Sequence, residues 1–104
     1  MALTKDFRQT VKARADRDAA FRAELLVEAV NLLLAGDITT GKSLLRTYVN
    51  ATIGFESLAD DVGIPSKSLM RMLSEKGNPR AEHLFAIIRV LQSKTGVSLE
   101  ANAA

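Results

Sequence analysis

Apolar residues along the chain recur at spacings of three and four, and no run keeps the strict alternation of a half-buried strand. The pattern predicts helices throughout. A first helix covers roughly 5–15, with Phe7 and Val11 on one face. A second starts after the cap region Asp16 to Asp18 and carries Phe21, Leu25, Ala29, Leu32 and Leu33 on one stripe. Leu26, Val30 and Leu34 widen that stripe, a width that suggests burial on more than one side. Gly36 ends this helix and Asp37 caps a third, over about 38–52, whose buried stripe is Leu44, Leu45, Tyr48 and Val49, with Gly54 closing it.

Two short amphipathic segments follow on either side of Gly63. Leu58, Ala59 and Val62 share a face of the first, and Leu69, Met72 and Leu73 pack the second back onto it. Gly63 permits a sharp turn, and Pro65 at the start of the second segment fixes the backbone for a new helix. A last helix runs through HLFAIIRVL. The expectation is an all-α single domain of about five to six helices. Residues 1–53 would form N-terminal helices that close the core, 54–97 a helix-turn-helix region, and 98–104 a flexible tail.

Composition fits this picture without adding a chemistry. The 104 residues are 47% hydrophobic and 25% charged, the usual balance for one globular domain. With no cysteine and one histidine, His83, thiolate chemistry and cysteine- or histidine-rich metal sites drop out, and no cofactor is expected. Glu28 and Asn31 interrupt the longest apolar stretch, and no basic-then-apolar leader opens the chain, so a cytoplasmic protein is the expectation. The carboxylates Asp60 and Asp61 are neighbours in sequence, but adjacent helical residues point about 100° apart, which makes them a solvated acidic face rather than a catalytic pair.

One string does carry a chemical signature. GDITTGKS at 36–43 satisfies the phosphate-loop pattern G-x-x-x-x-G-K-[ST] at every fixed position. A phosphate loop, however, needs a strand that ends at its first glycine and a parallel sheet behind it. Here AVNLLLAG continues a helix, so the string reads as a helix end, a cap and the first turns of the next helix, with Lys42 and Ser43 as ordinary turn residues. A nucleotide-binding enzyme is therefore the weakest of the readings, revived only by ATP or GTP binding that disappears with Lys42→Ala.

The net charge is only +2, but its distribution is uneven. Lys67, Arg71, Lys76, Arg80, Arg89 and Lys94 fall between positions 62 and 94 against Glu75 and Glu82, while Glu56, Asp60 and Asp61 cluster just before. On the second short helix the face opposite the apolar one carries Ser66, Lys67, Met70 and Arg71, with Ser68 near its edge. These side chains suit contact with base edges. Lys76, Asn78 and Arg80 follow in the connection, where they suit contact with phosphates.

LADDVGIPSKSLMRML followed by GNPRAEHLFAIIRVL resembles the Cro/C1-type helix-turn-helix. The longer stretch RTYVNATIGFESLADDVGIPSKSLMRMLSEKGNP, with LTKDFRQTVKARADRD near the N-terminus, is similar to the addiction-module antidote (antitoxin) subfamily of bacterial DNA-binding proteins. That resemblance implies a non-enzymatic transcription regulator that binds double-stranded operator DNA, often at its own promoter, and pairs with a RelE-like toxin in a type II toxin-antitoxin system. The wide apolar stripe on residues 21–34 either closes the core against the helix-turn-helix or in part forms a homodimer or toxin interface, and a homodimer would imply a palindromic operator. Arg80 departs from the family, which often places Ser or Thr there to cap the final helix, a task Asn78 could take over. The alternative is a protein-interaction module that keeps the helix-turn-helix only as scaffold.

Overall fold

The computed structural model describes residues 5–104, apart from the side chain of Arg8. Met1 to Thr4, including the start of the N-terminal segment in the resemblance, lie outside the described residues. The order of elements is α1 (Lys5–Arg17), α2 (Ala19–Leu34), α3 (Ile38–Ala51), α4 (Gly54–Val62), α5 (Ser66–Met72) and α6 (Ala81–Thr95). There is no strand among the described residues.

The helix boundaries follow local chemistry. The Asp18 carboxylate accepts the Phe21 N–H at 3.1 Å and starts α2. That bond, aided by the nearby Arg14, holds the carboxyl below the usual aspartate range. At the other end of α2 the Gly36 N–H donates to Leu33 O and the Asp37 N–H to Leu32 O, the pairing that closes a helix through a left-handed residue. The Asp37 side chain then accepts the Thr40 N–H at 3.2 Å and opens α3.

α2, α3, α4, α5 and α6 share one core. Leu26 and Ala29 from α2 meet Leu45, Tyr48 and Val49 from α3, Phe55 and Leu58 from α4, Leu69 and Leu73 at α5, and Ile87, Ile88 and Leu91 from α6. The N-terminal and C-terminal regions separated in sequence are therefore one folding unit. α1 docks through a smaller cluster of Val11, Ala15 and Ala51, with Phe21 and Leu25 against it. The Arg14 guanidinium lies 4.4 Å from the centre of the Phe21 ring, and Arg22 donates to Ala15 O at 2.6 Å across the same joint.

Several sequence expectations shift. α1 runs two residues further than expected, and Phe7 stays half exposed at 51%. α3 stops at Ala51, within a residue of its expected end, but the chain turns through Thr52 and Ile53, and Gly54 opens α4 instead of closing α3. The wide stripe on α2 is buried on a narrower front, with only Leu26 and Ala29 fully enclosed. Leu34 is 77% exposed, because it is the last residue of its helix and the chain turns away before another element covers it. Pro65 is the residue before α5 and not its first turn. At α6 neither Arg80 nor Asn78 supplies a side-chain cap. Beyond α6, Val97 and Leu99 pack on the core and the Leu99 N–H donates to Gln92 Oε1 at 2.8 Å, so the second residue of the segment expected as a tail is anchored.

Tyr48 connects two of these helices through its polar tip. Its ring is fully buried, its hydroxyl donates to Thr95 Oγ1 at 2.6 Å, and Thr95 in turn donates to Leu91 O at 2.6 Å. Burial raises the Tyr48 pKa above the ordinary tyrosine value, with the Thr95 bond acting in the opposite direction. Folding therefore favours the neutral phenol. Its contribution is complete below the unfolded pKa of about 10 and is lost as pH rises through the higher folded value. Urea unfolding across the alkaline range should show this decline in the wild type and a flatter profile in Tyr48→Phe, which costs about 1 kcal/mol at neutral pH.

Candidate functional site

α4 ends where Gly63 adopts φ 72 and its N–H returns to Ala59 O at 2.9 Å. After Ile64 and Pro65 the chain enters α5, whose first bond runs from the Leu69 N–H to Pro65 O. Seven residues are too few to hold a helix by propensity, so α5 depends on its packing. Leu69 and Leu73, one turn apart, are 0% and 1% exposed, and Met72 packs beside them. These anchors fix which face of α5 points outward.

That outward face carries Lys67, Met70 and Arg71, all exposed. Lys67 and Arg71 make no ion pair or side-chain hydrogen bond with another described residue. Ser66 and Ser68 are half-buried. The Ser66 hydroxyl donates to Glu56 Oε1 at 3.1 Å, which leaves only its lone pairs to face a ligand. Glu56 is thus a member of the site that sequence reading left in the acidic cluster. Ser74 folds back to donate to Arg71 O at 2.6 Å.

The connection from α5 to α6 continues this surface. Lys76, Asn78 and Arg80 are exposed. Arg80 makes a loose pair with Glu82 at 3.7 Å between two highly exposed side chains, a contact of little energetic weight. From Ser66 to Arg80, four cations stand against the single acid Glu75.

The support beneath this loop comes from the phosphate-loop string. Lys42 is only 3% exposed, and its Nζ donates to Glu75 O at 3.2 Å and to Gly77 O. It is a buried clamp across more than thirty residues of sequence, not the ordinary turn residue expected. Its ammonium faces carbonyl oxygens instead of solvent, which removes the group a phosphate loop would present. Gly41 has a packing reason as well: a Cβ there would lie 2.6 Å from Leu33 Cδ2, where α2 and α3 cross. Gly77 likewise sits too close to the Arg71 and Met72 carbonyls for any side chain. The signal for Lys42 was present in the helical wheel. Lys42, Leu45 and Val49 follow each other at spacings of three and four, which places the lysine on the buried stripe of α3.

Elsewhere the chemistry is sparse. Asp61 pairs with Lys94 at 3.6 Å, tying α4 to α6, and His83 is half-buried. Among the described residues no three His, Cys, Asp or Glu side chains gather as a metal would require. No described helix is long and apolar enough to cross a membrane. The chain matches no family model, no curated protein and no solved structure.

Proposed function

We propose that this protein is a sequence-specific DNA-binding transcriptional regulator acting in the cytoplasm, without enzymatic activity, with α5 as the helix that enters the major groove. The observation that carries the reading is the presentation of α5: buried Leu69 and Leu73 lock one face while the unpaired Lys67 and Arg71 stand out from the other. Arg71 and Lys67 would read base edges, with Met70 against a thymine methyl group and Ser66 and Ser68 at the margins. Lys76, Asn78 and Arg80 would hold phosphates and set the register. Glu56 beside Ser66 adds an acceptor suited to the amino group of cytosine.

The test is a fluorescence-anisotropy titration against duplex DNA from upstream of the protein's own reading frame, beside a scrambled duplex. The wild type should prefer the former and weaken steeply with salt. Arg71→Ala should cost about 1–3 kcal/mol on the preferred duplex and much less on the scrambled one. An equal loss on both would move Arg71 from reading bases to binding phosphates.

A surface on α2 and α3 favours protein partnership beside DNA binding. Val27 and Leu34, two turns apart, and Ile38 at the start of α3 are 42%, 77% and 47% exposed. Such apolar residues at a helix-helix corner suit a partner surface, either a second copy across a palindromic operator or the toxin of a type II toxin-antitoxin pair, RelE-like as the resemblance implies. Sedimentation should give a dimer for the wild type and a monomer for Leu34→Ser/Ile38→Ser, with the stability of the fold changed by less than about 0.5 kcal/mol. A monomeric wild type would leave this surface to a different protein and favour the scaffold reading.

A further inference from the structure

The loop that carries Lys76 lacks the means to hold itself in place. Between the end of α5 and Arg80 the backbone is irregular, and its own hydrogen bonds are the short turns Ser74 N–H to Arg71 O and Gly77 N–H to Ser74 O. Both lie on the side toward α5. The carbonyls of Glu75 and Gly77 bracket Lys76, and both accept from the same ammonium, that of Lys42 on α3. Lys42 is buried and makes no ion pair with a described residue, so its binding capacity is directed at this loop. Gly77 completes the seat, since its missing side chain lets the loop press against the Arg71 and Met72 carbonyls.

We propose that Lys42 is a positioning residue for the DNA interface: by gripping the two carbonyls on either side of Lys76, it sets the orientation in which Lys76 meets a phosphate. The proposal rests on the DNA-binding reading above. Lys42 itself touches no DNA. Its effect passes through the backbone to Lys76 and, one residue beyond the grip, to Asn78.

A double-mutant cycle separates this role from plain stabilisation. Binding to a random duplex of about 20 base pairs is measured at low salt, well below the unfolding temperature of every variant, because a phosphate contact needs no particular sequence. In the wild-type background Lys76→Gln should weaken binding roughly tenfold and lower the salt slope by about 1. In the Lys42→Met background the same change should cost almost nothing, because Lys76 is already misplaced. Gly77→Ala, which displaces the loop while leaving Lys42 intact, should give the same non-additivity and serves if Lys42→Met folds poorly. Hydrogen exchange without DNA gives a second readout: in Lys42→Met the Gly77 amide should gain more in exchange rate than the Leu69 amide inside α5, whose change follows only the fall in global stability.

Equal cost of Lys76→Gln in all backgrounds would overturn the positioning role and leave DNA binding untouched. A rise in exchange at Gly77 no larger than that of the core amides would also overturn it, since Lys42 would then act only as a general stabiliser. Absence of salt-sensitive binding by the wild type would remove the DNA reading and this inference with it.

Discussion

Lys42→Met should lower the free energy of unfolding by about 2–4 kcal/mol, read as a fall in the urea midpoint at unchanged slope. The replacement keeps most of the side-chain volume but removes the donor that serves Glu75 O and Gly77 O. Two carbonyls turned toward the interior are then left without a partner, at about 1–3 kcal/mol each if neither reaches water. Relief from burying an ammonium offsets part of this loss, which keeps the expected value near the lower end of that sum. A phosphate-loop lysine would behave in the opposite way. Its removal would abolish nucleotide binding and leave stability nearly unchanged, because such a lysine extends toward a ligand. An unchanged midpoint in Lys42→Met would show that the clamp contributes nothing net to folding.

Leu69→Ala should cost about 2–5 kcal/mol, the range for truncating a fully buried leucine. The position within α5 makes the consequence larger than a cavity. With Leu69 shortened, Leu73 is the only fully buried anchor left at the end of a seven-residue helix. DNA binding should therefore fall more than the loss of global stability predicts, even at temperatures where the protein remains folded. Leu45→Ala provides the comparison, since it removes an equally buried leucine from α3 without releasing α5. If both variants lose DNA affinity equally, the special dependence of α5 on Leu69 is wrong.

Much of the fold could be read from short-range chemistry. Gly36 with Asp37, and Asp18 before α2, mark their helix ends with side-chain or left-handed caps that act within three or four residues. The spacing of Leu69, Met72 and Leu73 likewise gives the inward face of α5, and with it the exposed positions of Lys67, Met70 and Arg71. The break between α3 and α4 falls within a residue of its expected place, but the role of Gly54 differs, because glycine carries the same local signal whether it closes one helix or opens the next. Leu34 was misassigned for a related reason: periodicity tells which residues share a stripe but not how far a neighbouring helix extends along it. Lys42 was hardest to read. Its partners are two backbone carbonyls 33 and 35 residues away, and carbonyls leave no mark in a sequence. Glu56 was passed over in the same manner, since its partner Ser66 lies across the turn.

The clamp also bears on how variation in this protein should be interpreted. In a library randomised over Ile38 to Ser43 and selected for folding alone, Gly41 and Lys42 should persist, the first for the α2–α3 crossing and the second for its carbonyls. Thr39 and Thr40, both exposed, should vary freely. Survivors aligned together would retain glycine followed by lysine after a tolerant stretch, the outline of a nucleotide motif produced by selection in which no nucleotide took part.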